Sequence, residues 1–140
     1  MHIHTYLNFN GRADEAIEFY KRALGATVVR LMRYKDNPQS GMGQPVADPD
    51  KVMHAELRIG ETTLLASDGG CREVSGFEGV SLSLFVSDDI EAGRVFAALA
   101  EGGQVQMPLT PTFFSSGFGM LTDRLGISWM VMTQCGSGAR

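Results

Sequence analysis

Residues 4–26 read HTYLNFNGRADEAIEFYKRALGA, and this stretch decides the fold. Its first part alternates apolar and polar side chains, which is the period of a half-buried strand, and we predict a strand over residues 2–9. The run that follows repeats its apolar residues at helical spacing, and Gly25 stands where a helix C-cap is expected. The predicted helical stripe consists of Ala13, Ala16, Ile17, Tyr20 and Leu24.

Three further strands are predicted after this helix. Residues 26–34 are rich in β-branched and apolar side chains, residues 52–59 alternate in polarity, and residues 62–67 follow a tight turn. Residues 36–50, DNPQSGMGQPVADPD, contain many Gly, Pro, Asp and Asn residues, so we predict a long loop there. The first half of the chain is thus strand, helix and three strands.

The second half repeats this order. A shift of roughly 76 residues superposes Ala16 on Ala92 and Tyr20 on Phe96, which indicates an internal duplication. We predict strands at 80–87, 105–109, 113–122 and 127–133, and a helix that begins at Asp88 or Asp89 and ends before Gly102. The predicted fold class is α+β, as one domain over residues 1–140 with modules at 2–68 and 79–134, a connector at 69–78 and a tail at 135–140.

Composition excludes several classes of protein. A chain of 140 residues with 44% hydrophobic residues can bury a core without a metal or disulfide staple. Its 12 basic and 16 acidic residues give a net charge of -4, which argues against nucleic acid as a partner. It lacks the roughly 18 consecutive apolar residues of a membrane span, so we expect a cytoplasmic protein. Cys71 and Cys135 have no spacing typical of a zinc site or a disulfide framework.

Strand alternation predicts that one face of each sheet packs under its helix and that the other is a mixed polar and aromatic surface, as a small-molecule cavity requires. Trp129 falls on the core parity, where its indole N–H needs a partner, and Asp68 is predicted to be a turn residue. The candidate ligand-binding residues are Tyr6, Asn8, His54, Glu56, Ser83, Phe85 and Met130.

The order βαβββ twice over, residues 4–26 and the ending DRLGISWMVMT (123–133) resemble the vicinal oxygen chelate superfamily of glyoxalase I, bleomycin and fosfomycin resistance proteins and extradiol dioxygenases. The segments FNGRADEAIEFYKRALG (9–25) and VMHAELRIGETTLLASD (52–68) most resemble its PhnB-like branch. Members of that branch often carry a demethylubiquinone methyltransferase-like label, which implies no demonstrated methyl transfer. The resemblance implies a curved, cup-shaped mixed sheet with the helices on its convex side, and a homodimer.

The superfamily's enzymes hold a divalent metal through four positions, which the resemblance maps to His4, Leu65 or Ala66, Ser81 and Met130. Only His4 is a metal-binding residue type, so we expect no standard metal tetrad and no cofactor. The alternative is a rebuilt site of His4, His54 and Glu56, two histidines and a carboxylate, which suits iron or zinc in a metal-dependent lyase, isomerase or dioxygenase.

His54 and Glu56 are also the candidate catalytic residues without a metal, as general base and orienting carboxylate. The simpler interpretation is a polar pair in which the two side chains satisfy each other, joined by Arg58. The leading hypothesis is a PhnB-like protein that binds a small organic molecule. The alternatives are the metal-dependent enzyme and a non-catalytic dimeric interaction protein.

Overall fold

The structure, a computed structural model, describes residues 1–36, 48–69 and 76–134. The chain divides into two compact units, residues 1–75 and 76–140. Each unit contains one helix and one four-stranded sheet in the order βαβββ, which confirms the α+β prediction of two such modules. Five predicted features lie wholly or mostly outside the described residues: Cys71, Cys135, the connector at 69–78, the tail and the loop at 36–50.

The first unit contains sheet 1, in the strand order β1-β4-β3-β2, with β1 parallel to β4 and the other neighbours antiparallel. β1 begins at Thr5 rather than residue 2, because residues 1–4 are exposed and meet no apolar surface that would reward their ordering. The elements are β1 Thr5–Asn8, α1 Ala13–Leu24, β2 Thr27–Arg33, a short 3-10 turn Tyr34–Asp36, β3 Val52–Ile59 and β4 Thr62–Ser67.

The helix α1 covers one face of sheet 1. It ends at Gly25, whose left-handed backbone (φ 68°) lets its N–H donate to the Lys21 carbonyl, as the sequence predicted. Leu24, placed on the apolar stripe by its spacing, is only half-buried. The buried residues that α1 shares with the sheet are Ala13, Ala16, Ile17, Phe19, Tyr20 and Ala23 from the helix and Leu7, Ala55, Leu57, Leu64 and Ala66 from the strands.

Asp68 is not the simple turn residue that the sequence suggested. Its carboxylate is buried and accepts the backbone N–H of Ala13 at 2.8 Å and that of Val52 at 2.7 Å. The first of these is an unpaired donor at the N-terminus of α1, where the helix dipole favours a negative charge. Asp68 therefore joins the end of β4 to the starts of α1 and β3.

The second unit contains sheet 2, in the order β5-β8-β7-β6, with β5 parallel to β8. Asp88 is the N-cap of α2 and accepts from the backbone N–H of Glu91, in agreement with the sequence. β7 begins at Phe118 instead of residue 113, because buried Ser115 closes a turn with its Oγ 2.8 Å from the Thr133 carbonyl. The elements are β5 Ser81–Val86, α2 Asp89–Ala100, β6 Gln104–Thr110, β7 Phe118–Thr122 and β8 Ser128–Thr133.

The helix α2 lies so close to sheet 2 that Gly119 has no room for a side chain. A Cβ at this position would lie 2.7 Å from the Phe96 ring. Trp129 is buried on the same face, as predicted, and its indole N–H donates to Asp123 at 2.8 Å. Among the described residues, neither α1 nor α2 has the length and apolarity needed to cross a membrane.

Candidate functional site

Sheet 1 presents to the side opposite α1 a set of side chains that we call the polar face. Its position follows from the strand alternation, since His54 and Glu56 flank the buried Ala55 on β3. The strand register places Tyr6, Leu65 and Glu56 in one row, and Asn8 beside Ser67 in the next. The polar face consists of Tyr6, Asn8, Arg30, Met32, His54, Glu56, Arg58, Leu65 and Ser67.

Tyr6 and His54 meet on the polar face. The Tyr6 hydroxyl lies 3.2 Å from His54 Nδ1, and the two ring centroids are 5.7 Å apart. Because Tyr6 is on β1 and His54 on β3, the tyrosine side chain reaches across β4 to make this bond. With the imidazole proton on Nε2, the hydroxyl donates to Nδ1, and Nε2–H remains a donor.

A second polar pair lies beside the first. Ser67 Oγ donates to the Asn8 carboxamide oxygen at 2.8 Å and accepts the Gly69 backbone N–H at 2.9 Å. These bonds orient the Asn8 side chain with its oxygen toward β4. The carboxamide N–H groups make no hydrogen bond within the described part of the chain, so Asn8 retains two donors.

Glu56 does not form the predicted mutual pair with His54 and Arg58. His54 bonds Tyr6 instead, and among the residues that the structure describes no hydrogen bond or ion pair reaches the Glu56 carboxylate. Arg30 lies opposite Glu56 on the neighbouring strand, also without an ion pair in the described ranges. The half-buried carboxylate is therefore an acceptor that the described chain leaves unused.

The positions to which the resemblance maps the superfamily's metal ligands carry one metal-binding residue type, His4. Leu65 or Ala66, Ser81 and Met130 have no nitrogen or carboxylate ligand in their side chains. Within residues 1–36, 48–69 and 76–134, no three His, Cys, Asp or Glu side chains are grouped so that they could hold one metal ion. His4 is exposed and stacks on His2, so the alternative set of His4, His54 and Glu56 is not brought together.

Sheet 2 presents to the side opposite α2 a contrasting surface, which we call the thioether–aromatic face. The register aligns Met107, Met120, Met130 and Ser83 in one row across all four strands. The next row contains Thr110, Phe118, Met132 and Phe85. The thioether–aromatic face is defined by Phe85, Met107, Phe118, Met120, Met130 and Met132.

The loop between β6 and β7 extends this surface at one edge. Phe114 packs edge-on against Phe118 with ring centroids 5.2 Å apart, and Phe113 packs on Phe114 at 5.0 Å. Phe113 is 99% exposed and Phe85 is 55% exposed. Aromatic rings therefore border the row of methionines.

The predicted site residues separate into two groups. The polar face of the first unit contains Tyr6, Asn8, His54 and Glu56. The face of sheet 2 opposite α2 contains Ser83, Phe85 and Met130. Met107 and Met120 were not among the predicted site residues. Met120 has the same strand parity as Phe118, which would have placed it on this face from the sequence alone. Met107 joins the row only through strand register, because irregular pairing interrupts β6 on both sides of it.

The paired βαβββ modules place the chain in the glyoxalase/bleomycin resistance/dioxygenase fold class. A solved structure described by that name, from Frankia sp. EAN1pec, shares the fold with a TM-score of 0.65 at 16% identity, over 98% of this chain and 93% of the other.

A family model described as 3-demethylubiquinone-9 3-methyltransferase matches residues 1–132, and the chain belongs to this PhnB-like family. Protein PA1353 from Pseudomonas aeruginosa is 44% identical, with a TM-score of 0.85 over 96% of this chain and 98% of that one. A putative methyltransferase of the family, the PhnB protein from Bacillus cereus, is 29% identical, with a TM-score of 0.79 over 95% and 99% of the two chains. Protein YjdN of Escherichia coli is 30% identical over 138 residues, 94% of each chain.

Proposed function

We propose that this PhnB-like protein binds a small organic molecule on the polar face of sheet 1 and does so without the superfamily's standard metal tetrad. The observation that carries the proposal is the Tyr6–His54 pair on the polar face. Binding sites combine apolar surface with a few oriented polar groups, and a tyrosine hydroxyl bonded to a histidine is such a group.

The unused hydrogen-bonding capacity of the polar face supports the same proposal. The Glu56 carboxylate offers acceptors and the Asn8 carboxamide offers donors, and neither capacity is used by the described residues. Both side chains are half-buried, so a bound molecule that satisfies them would replace poorly arranged water.

A screen of small polar compounds by thermal unfolding tests the proposal. A ligand present at 100 times its Kd stabilises the folded chain by about 2.7 kcal/mol, which is a rise in Tm of about 5–10 °C for a chain of this size. We expect His54→Ala and Glu56→Gln to reduce this rise, while Glu61→Gln in the exposed β3–β4 turn leaves it unchanged. If no compound raises the Tm of the wild-type chain, the proposal is wrong.

Acid–base catalysis on the same face is a second candidate function, and the Tyr6–His54 hydrogen bond favours it. In the tautomer in which His54 Nδ1–H donates to the Tyr6 oxygen, the bond orients the imidazole and leaves the Nε2 lone pair free to accept a proton, as a general base requires. The sequence already makes His54 the candidate for that role. The family's description names a methyl transfer, and a base that accepts a hydroxyl proton would assist such a reaction.

The two candidates differ in what happens to the ligand. We would incubate each stabilising compound with the chain, with and without S-adenosylmethionine, and analyse the recovered compound by mass spectrometry. Binding alone returns the compound unchanged. Catalysis converts it, and His54→Gln then lowers the rate by a factor on the order of 100 while Tyr6→Phe changes its pH profile.

A further inference from the structure

We propose that the thioether–aromatic face of the second unit binds a flat, uncharged aromatic small molecule. The inference goes beyond the proposed function, because it adds a second face and names the chemical class that this face accepts.

The side chains of this face have the chemistry that aromatic rings prefer. Met107, Met120 and Met130 stand side by side on three neighbouring strands, and Met132 follows between Phe118 and Phe85. Thioether sulfurs are polarisable and make favourable contacts with aromatic rings, and the unbranched methionine side chain adapts to the shape of what it contacts. Four thioethers in one patch therefore favour a flat ring over a branched aliphatic group.

The electrostatics of the face disfavour an anionic group. Beyond the methionines, sheet 2 continues with a third row of Gln104, Thr122, Ser128 and Ser81. None of the described side chains in the three rows is ionisable. An anion placed on this surface would lose hydration without gaining a partner of opposite charge, which is costly.

The size of the patch favours a small molecule over a protein partner. Two rows across four strands cover about 14 Å by 7 Å, on the order of 100 Å², because strands are about 4.8 Å apart and same-face residues about 7 Å apart. A stable protein interface needs roughly 800 Å² from each partner. The patch thus matches a molecule of two or three fused or linked rings.

The probe for this site is N-phenyl-1-naphthylamine, an uncharged aromatic compound that fluoresces in apolar surroundings. Its matched comparison is 1-anilinonaphthalene-8-sulfonate, which has the same rings and one negative charge. We expect saturable binding of the neutral probe to the full chain and a larger Kd for the sulfonate, because the face offers the charge no partner.

Paired substitutions locate the probe. The double variant Met120→Gln, Met130→Gln keeps the side-chain length but replaces two thioethers with amides, and we expect about a tenfold rise in Kd. The double variant Met120→Leu, Met130→Leu retains apolar surface, reports on the fold, and is expected to weaken binding less. Met53→Gln is the control, since it makes the same chemical change on β3 of the other unit, at a position that belongs to neither the polar face nor the thioether–aromatic face.

Four results would overturn the inference. One is equal binding of the neutral probe to the wild-type chain and to the glutamine double variant. Another is a dimer in sedimentation velocity that the glutamine variant dissociates, because the face would then be covered by a second copy of the chain. The third is binding of the neutral probe that is lost in His54→Ala, because the probe would then occupy the polar face, which leaves the proposed function standing. If neither the probe nor any screened compound binds, both proposals fail.

Discussion

Each unit contains a buried carboxylate that accepts backbone N–H groups: Asp68 in the first unit and Asp123 in the second. Asp123 Oδ1 accepts the backbone N–H groups of Leu125 and Ile127 at 2.9 and 3.0 Å, and its Oδ2 accepts the Trp129 indole N–H at 2.8 Å. Asp123 is 3% exposed, so water cannot replace its carboxylate as the acceptor of these N–H groups. The Asp123 side chain thus adds three hydrogen bonds to the backbone bonds of the turn between β7 and β8, as Asp68 adds two at the starts of α1 and β3.

Replacing Asp123 with alanine is expected to lower the free energy of unfolding by about 3 kcal/mol, because it leaves buried donors without an acceptor. Urea denaturation measures this change. Asp36→Ala is the control, since within the described ranges the exposed Asp36 carboxylate accepts one hydrogen bond, from the Arg33 backbone N–H, and its loss should cost less than about 1 kcal/mol. Equal effects of the two substitutions would show that burial of the donors does not matter.

Asp14 makes the stability of the first unit depend on pH. The two hydrogen bonds from the Arg33 guanidinium, both 2.9 Å, lower the pKa of the Asp14 carboxyl below its usual 3.8. A lowered pKa in the folded state means that the pair stabilises the fold above pH 3.8 and that this contribution is lost as the pH falls through the lowered value.

We therefore expect Asp14→Asn to lower the Tm at pH 7 slightly and to reduce the fall in Tm between about pH 5 and 2, because the variant has no proton to take up there. Thermal unfolding followed by circular dichroism over this range measures both effects. Glu61→Gln, which removes an exposed carboxylate without a described partner, should leave the wild-type profile unchanged. An unchanged profile for Asp14→Asn would contradict the assignment.

At the level of elements, the close contact between α2 and β7 restricts which residue position 119 can hold. We expect Gly119→Ala to destabilise the chain by about 1–3 kcal/mol, since the new Cβ would meet the Phe96 ring at 2.7 Å. Gly93→Ala, inside α2 and with nothing within 4 Å of its Cβ, should instead stabilise by about 0.5–1 kcal/mol. Denaturant unfolding of both variants measures these changes. Gly119→Ala is also measured in a Phe96→Leu background, where the smaller side chain should reduce the clash and therefore the loss of stability. If the two substitutions change the free energy of unfolding additively, the clash with the Phe96 ring is contradicted.

The helices and most strands were predictable because their signals are local. The amphipathic spacing, Gly25 and Asp88 mark α1 and α2 within one residue of their observed ends, and β3 and β4 match the predicted ranges. The prediction was wrong at β7, where residues 113–117 resemble a strand in composition but form a turn. Ser115 decides this by bonding to Thr133 on β8, a partner 18 residues away that no local pattern reveals.

At the level of the whole molecule, the sequence offset between equivalent elements of the two modules differs between the first strand and helix and the last strands. β5 and α2 begin 76 residues after β1 and α1 (81 − 5 and 89 − 13), whereas β8 begins 66 residues after β4 (128 − 62). The predicted shift of roughly 76 residues is thus confirmed for the first strand and helix. The difference arises between α1 and β4, the stretch that includes the long segment at 36–50.

The sheet orders predict which backbone is best protected. We expect amide hydrogens of the inner strands β3, β4, β7 and β8 to exchange slowest, and those of β2 and β6 faster, because the latter pair on one side only within their sheets. Hydrogen exchange followed by nuclear magnetic resonance tests this. Protection of β2 equal to that of β3 would contradict the expectation and would place another chain or segment along that edge.

The sequence by itself determined the order of elements and the parity of the strands, because both depend on residue type and short spacing. Only the tertiary structure decided which side chains meet. Tyr6 reaches His54 across an intervening strand, Asp68 joins three elements, and Met107 aligns with Met120 through sheet register. These contacts depend on long-range pairing between strands, and alternation within one strand assigns a face but not a neighbour.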